Sequence, residues 1–184
     1  MKGKQERFLE AFVKFQKKRM ADGGEAGSFL IAFGRSEVTL YPFMYGSEKE
    51  RDCKYWAAAA ILKARSATSY AYCIDGWAAP IAEDYNYGDV TASPVKQDCL
   101  VWGLVSTGLQ YSCTQYYSGE RKSFFGEPNR KEGRSGESRI EDLFQEAVES
   151  EMGAEERDNC VAVMIQMQVD ALELEMNPFI RDHG

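Results

Sequence analysis

Along residues 69–77 the side chains alternate with a period of two, so that Tyr70, Tyr72 and Ile74 fall on one face of an extended chain and Ala71, Cys73 and Asp75 on the other. Both faces are mostly apolar, which predicts a central strand covered on both sides. It ends abruptly at Asp75-Gly76-Trp77. Two apolar runs, 28–33 and 37–45, meet across Gly34-Arg35-Ser36 and predict a β-hairpin. Pro42 lies inside the second run, and a proline cannot donate to a strand ladder, so that strand belongs at a sheet edge or bends there. A second hairpin is predicted from 99–106 and 109–117, joined by Thr107-Gly108. Leu100, Trp102 and Leu104 share one face of its first strand. Tyr111, Cys113 and Tyr117 share one face of its second, opposite the more polar Ser112, Thr114 and Tyr116, so one side of this hairpin is half wet.

Helical periodicity appears in three places. Over 4–20, Phe8, Leu9, Phe12, Val13, Phe15 and Met20 recur on one stripe, with Lys14, Lys17, Lys18 and Arg19 on the outer side and in the last turn, where the helix dipole favours cations. Ser47-Glu48 opens a helix over 48–65 whose Trp56-Ala57-Ala58-Ala59-Ala60 run lets a backbone approach a sheet closely. Ser138-x-x-Glu141 is a capping box opening a helix over 138–151, with Ile140, Leu143, Phe144, Ala147 and Val148 on one face. Residues 160–170 are ambiguous. Apolar side chains at 161, 163, 165, 167 and 169 alternate as in a strand, whereas the Ala, Met, Gln and Leu content suits a helix. The alternation favours a strand. These elements predict an α+β fold in a single domain, 1–184, with a mainly antiparallel sheet of five or six strands.

Two segments lack periodicity, 78–98 and 119–137, and both exceed the usual loop length of about 4 to 6 residues. The first is acidic and carries Glu83, Asp84, Tyr85 and Tyr87. The second is basic around a phenylalanine pair, with Arg121, Lys122, Phe124, Phe125, Arg130 and Lys131. Tyrosines with acids, or phenylalanines with cations, suit a contact surface. Together with Trp77, the residues Glu83, Asp84, Tyr85, Tyr87, Arg121, Lys122, Phe124 and Phe125 form the candidate partner-binding set.

Charge sharpens this picture. The net charge of -7 is divided unevenly: residues 1–20 hold seven Lys/Arg against two Glu, a surplus of +5, while 137–184 hold three Arg against thirteen Asp/Glu, a surplus of -10. Such polarity suits opposite faces that meet each other, a second copy of the chain, or a partner with a basic surface. Five cysteines at wide spacings, Cys53, Cys73, Cys99, Cys113 and Cys160, contain no C-x-x-C pair. They predict buried thiols in a reducing compartment rather than a disulfide frame or a zinc site. The one histidine is His183, so no triad that needs a positioned imidazole can be built within the core sequence. No apolar run approaches a membrane span, and the expected location is the cytoplasm.

The Asp75-Gly76-Trp77 sequence, the following long segment to Ser93-Pro94-Val95-Lys96-Gln97-Asp98 and the hairpin after it resemble small phage and bacterial α+β proteins of no established activity. Those share a Glu-x-Trp, Pro-Ser, Arg-x-Glu pattern. The resemblance covers residues 67–126, with Asp75 in place of the Glu and Ser-Pro reversing Pro-Ser. It implies a phage or mobile-element origin. With no cofactor motif, the expected function is a non-enzymatic protein–protein interaction factor that binds and blocks a host component or acts in assembly. Its acidic C-terminal third could compete with nucleic acid for a basic groove. One alternative is a metal-dependent, ribonuclease-H-like nuclease. It would use Asp75 at a strand end, a helix bearing Glu141, Glu146 and Glu149, and Asp170 at the end of a last strand, with magnesium as its ion. Another is nucleic-acid binding through the basic N-terminal helix with Arg121, Lys122, Arg130 and Lys131.

Overall fold

The computed structural model describes residues 3–24, 27–34, 38–43, 67, 69–78, 96–106, 108–120 and 122–133, with the single residues 54, 57, 58, 62, 155, 162, 165 and 166. A helix, α1 (Lys4–Ala21), precedes the strands β1 (Ser28–Phe33), β2 (Val38–Phe43), β3 (Ser69–Ala78), β4 (Gln97–Ser106), β5 (Leu109–Ser118), β6 (Ser123–Phe124) and β7 (Asn129–Glu132). Every pairing is antiparallel, in the order β2-β1-β3-β4-β5-β6, and β7 also pairs with β5. The fold is α+β, and β3 is interior.

Helix α1 starts where the Glu6 carboxylate accepts the Gly3 N–H at 3.1 Å. It stops in a pair of reverse bonds, Gly24 N–H to the Arg19 carbonyl and Gly23 N–H to the Met20 carbonyl, with Gly23 at φ 87°. A left-handed residue after the last turn is what lets those carbonyls be satisfied, and glycine adopts it without a Cβ penalty.

The predicted stripe of α1 packs on one face of the sheet. Phe8, Leu9, Phe12, Val13 and Met20 form a single core with Phe29, Ile31 and Phe33 of β1, Ala71 and Cys73 of β3, Leu100, Trp102 and Leu104 of β4, and Tyr111, Cys113 and Tyr117 of β5. Two edge-to-face ring pairs, Phe8 on Phe33 (5.7 Å) and Phe12 on Phe29 (5.3 Å), lock helix to sheet. Fully burying a side chain such as Phe12 contributes about 1.5–3 kcal/mol. The opposite face is buried too, at Leu30, Tyr41, Tyr72 and Ile74, as are the helical residues Ala57, Ala58 and Leu62.

Pairing explains the alternation. The register Phe29↔Cys73↔Trp102↔Cys113 runs straight across four strands, so the inward residues of each form continuous rows under α1. Pro42 sits on β2 at the end of the strand order, as its missing N–H requires. In the second hairpin Ser106 lies opposite Leu109, and Gly108 takes φ 80°.

Three expectations change. The strand expected over 160–170 is not what its described residues form: Ala162, Ile165 and Gln166 are helical and exposed, and the rest of the stretch lies outside the described residues. Alternating apolar positions can arise by chance in a segment of strong helix formers, and with no breaker present backbone propensity decides. The stretch 119–137 is not wholly a loop, because β6 and β7 lie within it. Their registers on β5 differ by two residues, so Gly126-Glu127-Pro128 bulges out between them. The helix expected at 138–151 lies outside the described residues, as do 79–95 of the loop expected at 78–98; the ends of that stretch, Ala78 in β3 and Gln97 and Asp98 in β4, are strand rather than loop, because the β3–β4 ladder runs on to pair them.

Candidate functional site

Alternation along β3 sends Asp75 and Trp77 to the α1 face, at the end of the sheet where β3, β4, β5 and β6 lie side by side. Asp75 is opposite Leu100 and Trp77 opposite Asp98, while Tyr117 pairs with Phe124. The Tyr117 hydroxyl donates to Asp75 Oδ1 at 2.5 Å, and Lys122 Nζ stands 3.8 Å from Asp75 Oδ2. Lys122 reaches there from the β5–β6 turn. Its backbone is in the left-handed region, φ 43°, with its N–H bonded to the Gly119 carbonyl at 3.0 Å.

Burial raises the Asp75 pKa above the ordinary 3.8. The Tyr117 hydrogen bond and the Lys122 ammonium pull it down without reversing the shift, and the Asp98 carboxylate pushes it further up. Tyr117 is shifted upward, by burial first and then by the carboxylate it bonds. The phenol therefore stays protonated and serves as a donor.

Deeper under α1 lies a second arrangement. Lys17 hydrogen bonds to Gln115 Oε1, and its Nζ sits 4.6 Å from the Trp102 ring centre and 5.2 Å from that of Phe124. Gln115 Nε2 donates to the Gly126 carbonyl at 2.5 Å, which ties the bulge to the helix. Burial lowers the Lys17 pKa, partly offset by neighbouring acid groups including Glu127. Further along β7, Arg130 lies 3.7 Å over the Tyr111 ring, bonds Glu132 at 2.6 Å and approaches Glu6 at 3.8 Å.

What faces solvent is aromatic. Trp77 is 54% exposed with Lys96 Nζ 5.2 Å over its ring, and Phe125 is 47% exposed, stacked on Tyr116 at 6.2 Å. The Phe125 N–H bonds the Tyr116 carbonyl, which fixes it at the same sheet end. Phe124 instead turns inward, half-buried against Tyr117 at 5.4 Å.

Of the expected partner-binding set, Trp77, Lys122 and Phe124 lie on the α1 face of this end of the sheet, and Phe125, stacked on Tyr116, lies on the opposite face of the same end. Only Trp77 and Phe125 present exposed rings. Glu83, Asp84, Tyr85, Tyr87 and Arg121 lie outside the described residues, as do Glu141, Glu146, Glu149 and Asp170. The nuclease arrangement needs a closing strand that ends at Asp170, and helical residues occupy 162, 165 and 166 instead. Asp75 spends its two oxygens on Tyr117 and Lys122. Among the described residues there is no group of three or more His, Cys, Asp or Glu that could hold a metal ion. The basic residues expected to share a nucleic-acid surface are divided: Lys17 points into the core, Lys122 pairs with Asp75, and Arg130 covers Tyr111.

Sequence reasoning missed the Asp75–Tyr117–Lys122 arrangement. The two-residue turn at 107–108 already sets the β4–β5 register, so half of it was accessible. The β3–β4 register, set by a long connection, was not. The buried thiols of Cys73, Cys99 and Cys113 are all pushed upward by desolvation, Cys99 to about 12, which keeps them protonated and poorly nucleophilic. No family model, curated protein or solved structure matches this chain.

Proposed function

We propose that the protein is a non-enzymatic interaction factor that contacts a protein partner through the sheet end bearing Trp77 and Phe125. The observation that carries this reading is the exposure of those two rings in a chain whose other described aromatic rings are buried or half-buried. Exposed aromatics rimmed by charge are typical of contact surfaces, and a Trp at the centre of one commonly dominates its energy. The rim here is Lys96, Asp98 and Lys122. The Asp75–Tyr117–Lys122 contacts hold the rim in place, so little order would have to be gained on binding.

The resemblance over 67–126 to phage and bacterial proteins supports a finer version: an accessory factor of a phage or mobile element that occupies a host component and blocks it. A differential capture experiment tests the reading. Wild type, Trp77→Ala and Phe125→Ala would be immobilised side by side and exposed to a bacterial lysate. A protein retained by wild type and depleted about tenfold or more by each variant, with unchanged circular dichroism, is the expected result. Identical captures by all three, or none by wild type, would remove the sheet end as the contact surface.

A further inference from the structure

Among the described residues Lys122 is the only one other than glycine with a positive φ, 43°. A residue with a Cβ adopts that region at a cost, which glycine in the same place would avoid. What the lysine gains there is reach. From the turn between β5 and β6 its Nζ stands 3.8 Å from Asp75 Oδ2 and 5.9 Å over the Tyr117 ring. The hairpin it closes is lightly held. β6 is two residues long, paired as Tyr117↔Phe124 and Ser118↔Ser123, and its ends are tied by the Lys122 N–H on the Gly119 carbonyl and the Phe125 N–H on the Tyr116 carbonyl, at 3.0 and 3.1 Å.

Asp75 is anchored quite differently. It belongs to the interior strand β3, opposite Leu100 in the β3–β4 ladder, and the Tyr117 hydroxyl that bonds it comes from β5. The groups facing it are Tyr117, Lys122 of the turn, Asp98 and the Cys99 thiol of β4 and the Cys73 thiol of its own strand. Lys17 of α1, which reaches the same face, is bonded to Gln115 Oε1. Lys122 is thus the cation that meets Asp75. A proton is held best by the arrangement in which the carboxyl pKa is highest. Lys122 lowers the Asp75 pKa, whereas the strands that bury the carboxyl stay paired when the lysine leaves, so the arrangement without Lys122 binds the proton more tightly and protonation favours release.

We infer that the pair of Asp75 and Lys122 is an acid-released latch on the β5–β6 hairpin: with Asp75 ionised it holds Lys122 in its left-handed turn and Phe125 against Tyr116, and with Asp75 protonated the turn relaxes and lets Phe125 go. Phe125 is one of the two exposed rings at this sheet end, so the latch sets how that ring is presented. The inference concerns the hairpin alone and does not depend on a partner binding there.

Amide hydrogen exchange by nuclear magnetic resonance on the full chain tests it, with each rate corrected for its intrinsic pH dependence and the Asp75 carboxyl carbon followed in the same samples from about pH 7 down to about pH 4. Protection of the Phe125 N–H falls about two- to fivefold in acid, with its midpoint on the Asp75 titration, while the amides of the β3–β4 ladder do not follow it. Lys122→Met keeps the left-handed backbone cost without the charge, and its Phe125 protection stays at the low-pH level throughout. Lys122→Gly removes both the cost and the pair, and its protection is independent of pH. Asp98→Asn keeps the dependence and moves its midpoint down, because the Asp98 carboxylate raises the Asp75 pKa. A wild-type profile that is flat across the Asp75 titration, or that rises in acid, overturns the inference. So does a Lys122→Met variant that behaves like wild type, or a dependence that disappears in Asp98→Asn.

Discussion

At the scale of single residues, Asp75 shows burial and charge pairing in competition. Its folded pKa is raised, so the native state holds a proton more tightly than the unfolded chain. The contribution of this group to stability is therefore present at low pH and lost as pH rises from about the ordinary 3.8 through the higher folded value. Asp75→Asn keeps an acceptor for the Tyr117 hydroxyl and has no charge to desolvate. We expect the difference in melting temperature between the Asp75→Asn variant and wild type to move in the variant's favour across that window and then level off, read from thermal melts at a series of pH values. A difference moving the other way would mean that the Lys122 pair outweighs burial. Gly103 makes a separate point. A Cβ there would lie 2.5 Å from the Tyr72 ring and 2.7 Å from the Tyr111 carbonyl, whereas one at Gly76 would meet nothing within 4 Å. Tyr72 lies across the glycine directly opposite it, filling the space a side chain would have taken. Gly103→Ala should cost about 1–3 kcal/mol in urea unfolding. Gly76→Ala should fall within about 0.5 kcal/mol of wild type.

At the scale of elements, what could be read in advance was whatever carried its own local signal. The strands β1 to β5 and helix α1 were legible because alternation, helical spacing and the glycines at 108 and 23 all pointed the same way. Strands β6 and β7 were not, since Ser123–Phe124 and Asn129–Glu132 are short, charged or polar and largely exposed, with no apolar pattern to betray them. They exist because the outer edge of β5 would otherwise leave its backbone groups unpaired, a demand made by the neighbour rather than by their own sequence. The charged side chains of β7 then blunt the new edge. For the candidate site, Trp77 and Phe125 were visible as large rings in unlikely places, but the inward turn of Phe124 and Lys17 depended on the bulge at Gly126. The β4–β5 hairpin offers a test at this scale. Gly108 has open space around it and φ 80°, so Gly108→Ala adds no clash and only backbone strain. A loss of about 1–2 kcal/mol in chemical denaturation is expected, with no change in the slope against denaturant.

For the molecule as a whole, the decisive feature is that one face of a seven-stranded sheet is sealed by a single described element. The rows under α1 include Phe29, Ile31, Leu100, Trp102 and Leu104, each nearly or fully buried, and the helix adds Leu9, Phe12 and Met20, which have no solvent exposure at all. Removing that cover would expose an apolar surface far larger than a few side chains can tolerate, while leaving every strand pairing intact. Backbone ladders and side-chain packing should then separate. A chain lacking residues 1–24 is expected to keep a strand signal in the far ultraviolet, lose the near-ultraviolet signal of Trp102, bind a hydrophobic dye and melt without a cooperative transition. Supplying residues 1–24 as a peptide should restore a sigmoidal melt in proportion to the fraction bound, because the helix contributes only to the folded side of the equilibrium. A truncated chain that melted cooperatively near the wild-type midpoint would show that the sheet closes its inner face without α1, and the Phe-striped helix would lose its place as the organiser of this core.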